Sequence, residues 1–173
     1  MPMPTPKARE ACLTAAEVRR LLRYEPETGT FRWRIDTRNT AAGDIAGSRQ
    51  SRGYWHIKID RRLYMAHRLA WLYVTGEWPI GHIDHINGNR SDNRFVNLRI
   101  ATNSENARNS RRHINNACGY KGVHYKKRLN KFVAQINVDG RVRHLGVFKT
   151  AAEAHAAYCK AAKEHFGEFA RAA

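Results

Sequence analysis

The sequence lacks any hydrophobic run that approaches the ~20 residues needed to span a bilayer, and its start lacks the apolar stretch of a secretory signal peptide. We therefore expect an intracellular protein without membrane association. Acidic residues are scarce: 15 Asp and Glu stand against 31 Lys and Arg in 173 residues, which gives a formal net charge of +16. A body this basic repels itself unless a polyanion relieves the charge, so nucleic acid is the expected partner.

Cysteine is also rare. Cys12, Cys118 and Cys159 are odd in number and far apart, which argues against a disulfide framework and against a zinc knuckle. Three of the five prolines fall within the first six residues, so we expect a flexible tail over residues 1–12.

The first half of the chain predicts a mixture of helices and strands. Thr14 and Glu17 have the spacing of a capping box, which predicts a short helix ending before Pro26. Alternating apolar residues predict strands at residues 30–35, 54–59 and 63–66. Apolar residues at helical spacing then predict a helix over residues 67–74, ended by Gly76.

Asparagine and aspartate crowd the next segment, residues 81–109, which has little apolar content. Such a composition is typical of a loop held by side-chain hydrogen bonds. Taken one at a time, these residues predict turns and nothing more.

Taken in order, the same residues are far more specific. An Asp84-His85 pair is followed by a loop ending in Asn97-Leu98-Arg99, then by Thr102 and by Asn106. This ordered set, about 25 residues long, resembles the HNH endonucleases of phage genomes and mobile introns.

The resemblance implies a hairpin-then-helix metal finger and a division of roles within it. Asp84 and Asn106 would hold one divalent ion, Mg²⁺ or Mn²⁺, His85 would be the general base, and Asn97 would fix the loop that carries the base. The chemistry agrees, because a neutral imidazole can take the proton of water near pH 7 and amide and carboxylate oxygens suit a hard cation. Since neighbouring strand residues point to opposite faces, the Asp84-His85 pair requires a strand end.

Two further histidines are candidates for supporting roles. His82 is the alternative general base, although three positions from His85 it would face away along a regular strand. His67, at the start of the predicted helix, resembles a recurrent histidine of these nucleases. An ordinary half-buried histidine remains an equal alternative for His67.

The last third of the chain predicts a small sheet and a helix. Strands are expected at residues 122–125, 131–138 and 141–148, followed by a helix that Thr150 and Glu153 cap. The segment Gly119 to Ala170 resembles the three-stranded sheet plus helix of the Apetala/ethylene-response-factor DNA-binding family. That family places arginine and tryptophan at several positions where this chain has His124, Gln135, Asn137 and His144, so the resemblance implies the binding mode and not the target sequence.

A sheet of this kind can enter the major groove and contact base edges from its exposed face. On that face we expect the following residues: Lys121, His124, Lys126, Arg128, Lys131, Gln135, Arg141 and Arg143.

Together these patterns and the two resemblances predict an α+β protein in two parts. A ββα-metal (His-Me finger) nuclease domain with an N-terminal β/helix extension would occupy residues 13–114, with its core motif at 81–109. A linker at 115–118 would lead to a DNA-binding domain at 119–170, a three-stranded antiparallel sheet plus one helix. The predicted function is a sequence-directed, metal-dependent DNA endonuclease of homing type, acting on double-stranded DNA without a required protein partner, as a monomer or a dimer. The alternatives are a DNA-binding protein without catalysis and, less favoured, an RNA-binding or ribosome-associated protein.

Overall fold

The computed structural model describes residues 12–37, 39–109, 116 and 118–170. Nearly all of the expected tail lies outside these residues, as do residues 115 and 117 of the expected linker. The chain forms two compact units, Met1–Thr102 and Asn103–Ala173.

The first unit contains two helices and seven short strands in its described part. In chain order they are α1 (Ala15–Leu21), β1 (Leu22–Glu25), β2 (Thr30–Trp33), β3 (Ser48–Arg49), β4 (Trp55–Ile59), β5 (Arg62–Met65), α2 (Ala66–Thr75), β6 (His82–His85) and β7 (Leu98–Ala101).

The predicted N-terminal helix and its capping box are confirmed. The Thr14 hydroxyl accepts from the Glu17 amide at 3.2 Å, and the Glu17 carboxylate accepts from the Thr14 amide at 2.8 Å. The helix ends at Leu21, and β1 follows it directly as the partner of β2. The sequence pattern had not indicated β1, because Leu22 also continues the apolar stripe of the helix. In the structure Leu22 is fully buried opposite Trp33.

One hydrophobic core holds the first unit together. Strands β3, β4 and β5 form an antiparallel sheet, and α2 follows β5 without a break and ends at Gly76, as predicted. The largest fully buried side chains come from α1, β1, β2, β4 and α2: Phe31, Leu22, Ile57, Leu69, Leu72 and Val18. Burial of these side chains is the main stabilisation of the scaffold on which β6 and β7 rest.

Strands β6 and β7 form an antiparallel hairpin that pairs His82 with Ala101 and His85 with Leu98. A loop over residues 86–94 and a 3₁₀ turn, Phe95–Asn97, connect them. The composition of residues 81–109 predicted a loop throughout, which is wrong for the two strands and for a helix, α3 (Asn103–Arg108), that follows them. Backbone pairing overrides the turn preference of Asn and Asp at these positions.

The second unit contains α3, an antiparallel sheet and a long helix. The sheet has the order β10-β9-β8 and consists of β8 (Val123–Lys126), β9 (Lys131–Val138) and β10 (Arg141–Phe148). Helix α4 (Ala151–Phe166) follows and has the predicted Thr150–Glu153 capping box. Its Ala154, Ala161 and Ala162 are buried against side chains of the sheet.

The strand register defines two faces of this sheet. The inner face packs on α4 through residues such as Ala134 and Ile136. The opposite face, called the outer face below, carries six polar or basic side chains: His124, Lys126, Lys131, Gln135, Asn137 and His144.

Four residues expected on the exposed face lie elsewhere, and one of them, Arg128, is in the 3₁₀ turn Lys127–Leu129 between β8 and β9. Arg141 pairs with Val138 and Arg143 with Ile136, so both belong to the inner side, where they are exposed beside the covered part of the sheet. A β-bulge between His144 and Gly146 shows that alternation alone could not fix the register of this strand. Lys121 precedes the sheet, and its ammonium group donates to the Arg108 carbonyl oxygen at 2.6 Å.

Helix α3 groups with the second unit and not with the hairpin before it. Arg108 explains this, because it forms an ion pair with Asp139 at 3.0 Å and stacks over the Phe166 ring. The compact units therefore divide at residues 102/103, upstream of the expected linker at 115–118. Among the helices of the described ranges, none is long and apolar enough to cross a membrane.

Candidate active site

The β6–β7 hairpin places Asp84 and His85 at the end of a strand, since His85 is the last residue of β6. Both side chains are buried, with exposed fractions of 5% and 4%. Arg68, on α2, donates to the carbonyl oxygens of Pro79 and Gly81 and so anchors the chain just before β6. The Asp84-His85 pair therefore lies at the end of a strand. Both side chains can contribute to one site only at such a position.

Asn93 orients the imidazole of His85. Its Oδ1 lies 3.3 Å from Nε2 of His85, while its Nδ2 donates to the Ser91 carbonyl oxygen at 3.4 Å. With the amide oriented in this way, Oδ1 can only accept, so the contact favours the tautomer in which Nε2 of His85 carries the proton. The lone pair of the neutral ring is then on Nδ1, which becomes its basic nitrogen.

Burial keeps His85 neutral. It lowers the pKa of His85 below its ordinary value of 6.5, an effect that the Asn93 hydrogen bond and the charges of Asp84 and Asp92 partly oppose. A histidine with a lowered pKa is unprotonated at pH 7 and able to accept a proton.

A second buried histidine packs against the first. The rings of His67 and His85 meet edge to face with centroids 5.0 Å apart, and Tyr54 contacts both rings. Desolvation lowers the pKa of His67 well below 6.5, and the neighbouring His85, Arg68 and His56 lower it further. Nδ1 of His67 is buried without a hydrogen-bond partner within the described structure. His67 is thus held in its neutral form beside the candidate base.

Asn97 ties the two ends of the loop together. Its Oδ1 accepts from the Asn87 amide at 3.0 Å, and its Nδ2 donates to the Asn87 side chain and to the Asp92 carbonyl oxygen. Its backbone carbonyl also accepts from the amide of Ile86, next to His85. These contacts hold the loop that contains Asn93.

The same loop is supported from two other sides. The carboxylate of Asp92 accepts from Arg94 and from Asn87, and the pKa of Asp92 falls to about 2, chiefly because of the Arg94 hydrogen bonds. From the β1–β2 hairpin, Tyr24 donates its hydroxyl to the Asn93 carbonyl oxygen at 2.8 Å. Gly29, at φ +71°, packs so tightly on Asn93 and Arg94 that a Cβ there would overlap their backbone.

Arg99 is the cross-strand partner of Asp84 in β7. Its Nε and Nη2 donate to Oδ2 of Asp84 at 3.0 and 2.8 Å. Both side chains of this ion pair are largely buried, with exposed fractions of 14% and 6%. The ion pair with Arg99 gives the buried Asp84 carboxylate a defined orientation. The guanidinium also neutralises part of the charge of this carboxylate.

The other predicted site residues are distributed as follows. His82 is exposed at the start of β6, at the opposite end of the strand from His85. Asn106 lies in α3, in the second compact unit, whereas Asp84 and His85 belong to the first. Among the residues that the structure describes, no three His, Cys, Asp or Glu side chains are grouped to hold one ion.

The donor chemistry nevertheless fits a hard divalent cation. Asp84 offers carboxylate oxygens at the hairpin, and amide oxygens are the second kind of ligand that Mg²⁺ and Mn²⁺ accept. An ion held by so few protein ligands keeps coordination positions for water and phosphate oxygens.

Comparison with known proteins gives a family match over the segment that contains these residues. Residues 64–108 match the HNH endonuclease family, a range that contains His67, Asp84, His85, Asn97 and Asn106. Protein 3.8 of Escherichia phage T7 is 30% identical over 118 residues, which are 66% of this chain and 97% of Protein 3.8. This chain belongs to the family of that phage protein. Its HNH endonuclease domain implies endonuclease activity on DNA, and HNH nucleases generally use a divalent metal ion. No solved structure matches the chain.

The sequence did not predict the roles of three residues. Asn93 and Arg99 lie within the HNH-matched segment, and Gly29 packs against its loop from outside. Arg99 had a usable signal, since any hairpin that joins Asp84 to the Asn97-Leu98-Arg99 segment brings Arg99 near Asp84. Asn93 had none, because an Asp-Asn pair is ordinary in a turn. The contact of Gly29 with the loop is a purely tertiary feature.

Proposed function

We propose that this chain is a metal-dependent DNA endonuclease that hydrolyses phosphodiester bonds with His85 as general base, and that its C-terminal unit binds the target duplex. One observation carries the proposal most strongly. Within an HNH-matched segment, a buried neutral histidine follows directly after a buried aspartate and has its protonated nitrogen oriented by Asn93.

In the proposed mechanism Nδ1 of His85 takes a proton from the attacking water as its oxygen approaches phosphorus. The bond from phosphorus to the 3′ oxygen then breaks, and the leaving oxygen takes up a proton from solvent water. Asn93 holds the imidazole in the required tautomer, and Asn97 holds the loop that carries Asn93. His67 and Tyr54 shield the ring from water on one side.

We assign the metal ligands to Asp84 and Asn106, with Mg²⁺ or Mn²⁺ as the ion. When bound, the ion supplies positive charge at the scissile phosphate and at the leaving oxygen. Arg99, the cross-strand partner of Asp84, fixes the orientation of the Asp84 carboxylate through two hydrogen bonds. His82 is left as a surface residue outside the reaction.

For the C-terminal unit we propose binding of duplex DNA in the manner of the Apetala/ethylene-response-factor family. The sheet with one helix-covered face and one basic polar face supports this assignment. His124, Lys126, Lys131 and Gln135 lie on the outer face, and Arg128 lies in the turn beside it. We also propose a homing-type role in phage or mobile DNA, and the phage source of Protein 3.8 agrees with the phage part of this proposal alone.

Plasmid nicking tests the catalytic part of the proposal. Supercoiled plasmid is incubated with the full chain in Mg²⁺, in Mn²⁺ and in EDTA, and the cut ends are sequenced. We expect cleavage only with the metal, and we expect Asp84→Ala and Asn106→Ala to abolish it or to raise the metal concentration that half-maximal cleavage needs.

Glu164→Ala, which removes an exposed acid in α4, is the matched control and should leave the metal dependence unchanged. Cleavage in EDTA, or an unaltered metal requirement in Asp84→Ala, would contradict the ligand assignment. Tight DNA binding without cleavage under any metal would favour the DNA-binding alternative.

A further inference from the structure

The register of the second unit decides which side chains the outer face can offer to a base pair. Along the central strand β9, every second residue points to this face: Lys131, Val133, Gln135 and Asn137. The neighbouring strands add their paired residues, so the face is organised in rows across the sheet.

The rows differ in chemistry from one end of the sheet to the other. Lys126 faces Lys131 at one end, and Arg128 lies in the adjoining turn. Further along, His144 faces Gln135, and Val142 faces Asn137. A basic end is suited to phosphates, whereas amide and apolar groups are suited to base edges.

Within the strands, the outer face holds neither arginine nor an acidic residue. Arg141 and Arg143, the only arginines in these strands, belong to the inner side by their pairing with Val138 and Ile136. Arginine is the side chain that most often reads guanine, through O6 and N7. Gln135 and Asn137 are instead the two amides whose donor and acceptor match N6 and N7 of adenine, and Val142 beside Asn137 can contact a thymine methyl group.

We infer that the outer face reads A·T base pairs at two positions, through Gln135 and Asn137. This inference rests on the proposed DNA-binding function of the unit and goes beyond it by naming the bases. Alternate residues of a strand are ~7 Å apart, and stacked base pairs are ~3.4 Å apart. For a central strand that follows the groove, the two A·T pairs are therefore separated by about two base-pair steps.

The experiment selects bound duplexes from a random pool with the full chain in EDTA, so that binding is measured without cleavage. We expect enrichment of A·T at two positions about two steps apart. Gln135→Ala and Asn137→Ala should each erase the preference at one of them and weaken binding to the selected site by roughly 5- to 150-fold. Binding to an unrelated duplex should change little, because phosphate contacts carry it.

A gain-of-function variant and a control sharpen the result. Gln135→Arg should redirect its own position to G·C and leave the other position unchanged. Gln50→Ala, at an exposed glutamine of the first unit, should select the same sequence as the unmodified chain. Double-stranded RNA of the selected sequence should not compete, since its narrow major groove does not admit a sheet.

Any of three outcomes would overturn the inference. The first is a selection that enriches no A·T positions. The second is that both alanine variants select the same sequence as the unmodified chain, and the third is that double-stranded RNA competes as well as the selected DNA duplex. Plasmid nicking in Mg²⁺, run in parallel, separates this failure from that of the proposed nuclease function. If the chain nicks DNA but shows no A·T preference, the proposed nuclease function stands and only the inference about base reading is wrong.

Discussion

Arg99 donates two hydrogen bonds to one carboxylate oxygen of Asp84, its partner across the β6–β7 hairpin. The proposed metal ligand is thus also half of a buried ion pair. Removing one member of such a pair leaves an uncompensated charge and destabilises a protein by about 3–5 kcal/mol. Arg99 and a metal ion would both neutralise the same carboxylate, which links folding stability to metal binding.

Replacing Arg99 with Met should lower the free energy of unfolding by about 3 kcal/mol in EDTA, because the buried Asp84 carboxylate loses its ion pair with Arg99. Mn²⁺ should restore part of this loss, and it should raise the melting temperature of the variant more than that of the unmodified chain. Thermal unfolding with and without the ion measures both effects.

Arg32→Met is the matched control, since the Arg32–Glu25 ion pair is half-exposed, with exposed fractions of 39% and 28%. It should cost about 1 kcal/mol or less and respond to Mn²⁺ like the unmodified chain. Equal metal stabilisation in the Arg99 variant and the control would argue against a shared carboxylate.

Changing His85 to Ala should reduce cleavage by ~10²-fold or more while leaving DNA affinity nearly intact, because a general base acts in the transition state and contributes little to binding. His82→Ala should retain cleavage, since His82 is exposed at the far end of the strand. Single-turnover nicking and gel-shift titrations give the two quantities. The assignment of the base is wrong if His82→Ala loses cleavage and His85→Ala does not.

His67 predicts a pH dependence of stability. Its pKa in the folded chain lies well below 6.5, because the ring is buried, whereas in the unfolded chain it returns to ~6.5. Below pH 6.5 the unfolded chain therefore binds a proton that the folded chain does not. The free energy of unfolding should fall as the pH drops from 6.5, by up to ~1.4 kcal/mol per pH unit for this residue, and should gain nothing from it above pH 6.5.

Replacing His67 with Phe should flatten this slope between pH 6.5 and 5, and urea unfolding at several pH values measures it. His165→Phe, at an exposed position of α4, should retain the slope of the unmodified chain. An unchanged slope in the His67 variant would show that its protonation does not oppose folding.

Gly29→Ala tests the support of the site from outside it. The added Cβ would overlap the backbone of Asn93 and Arg94, and φ at this position is +71°. We expect a loss of about 1–3 kcal/mol in stability and a fall in cleavage, since Asn93 orients His85. Gly43→Ala, also at positive φ but with open space around it, isolates the backbone cost. Cleavage that falls equally in both variants would contradict a specific role of the Gly29 contact.

Much of the secondary structure could be predicted because its signals are local. Both capping boxes, helix α2 with its terminal Gly76, and the three strands of the second unit lie where the sequence indicated them. The short strands β1 and β3 were not predicted. Strand β1 was hidden in the stripe of the preceding helix, and β3 is only two residues long.

By itself, the sequence determined the order of chemical groups: an aspartate and a histidine side by side, a loop closed by Asn97, then Asn106, and a basic strand-rich segment after them. Such an order identifies a family, because each residue type is needed at its place along the chain. Tertiary structure alone decided that Asn93 orients His85, that Arg99 shares Asp84, and that Arg141 and Arg143 leave the outer face to Gln135 and Asn137. These relationships depend on cross-strand register, a bulge and loop packing, which arise from long-range contacts that no local pattern encodes.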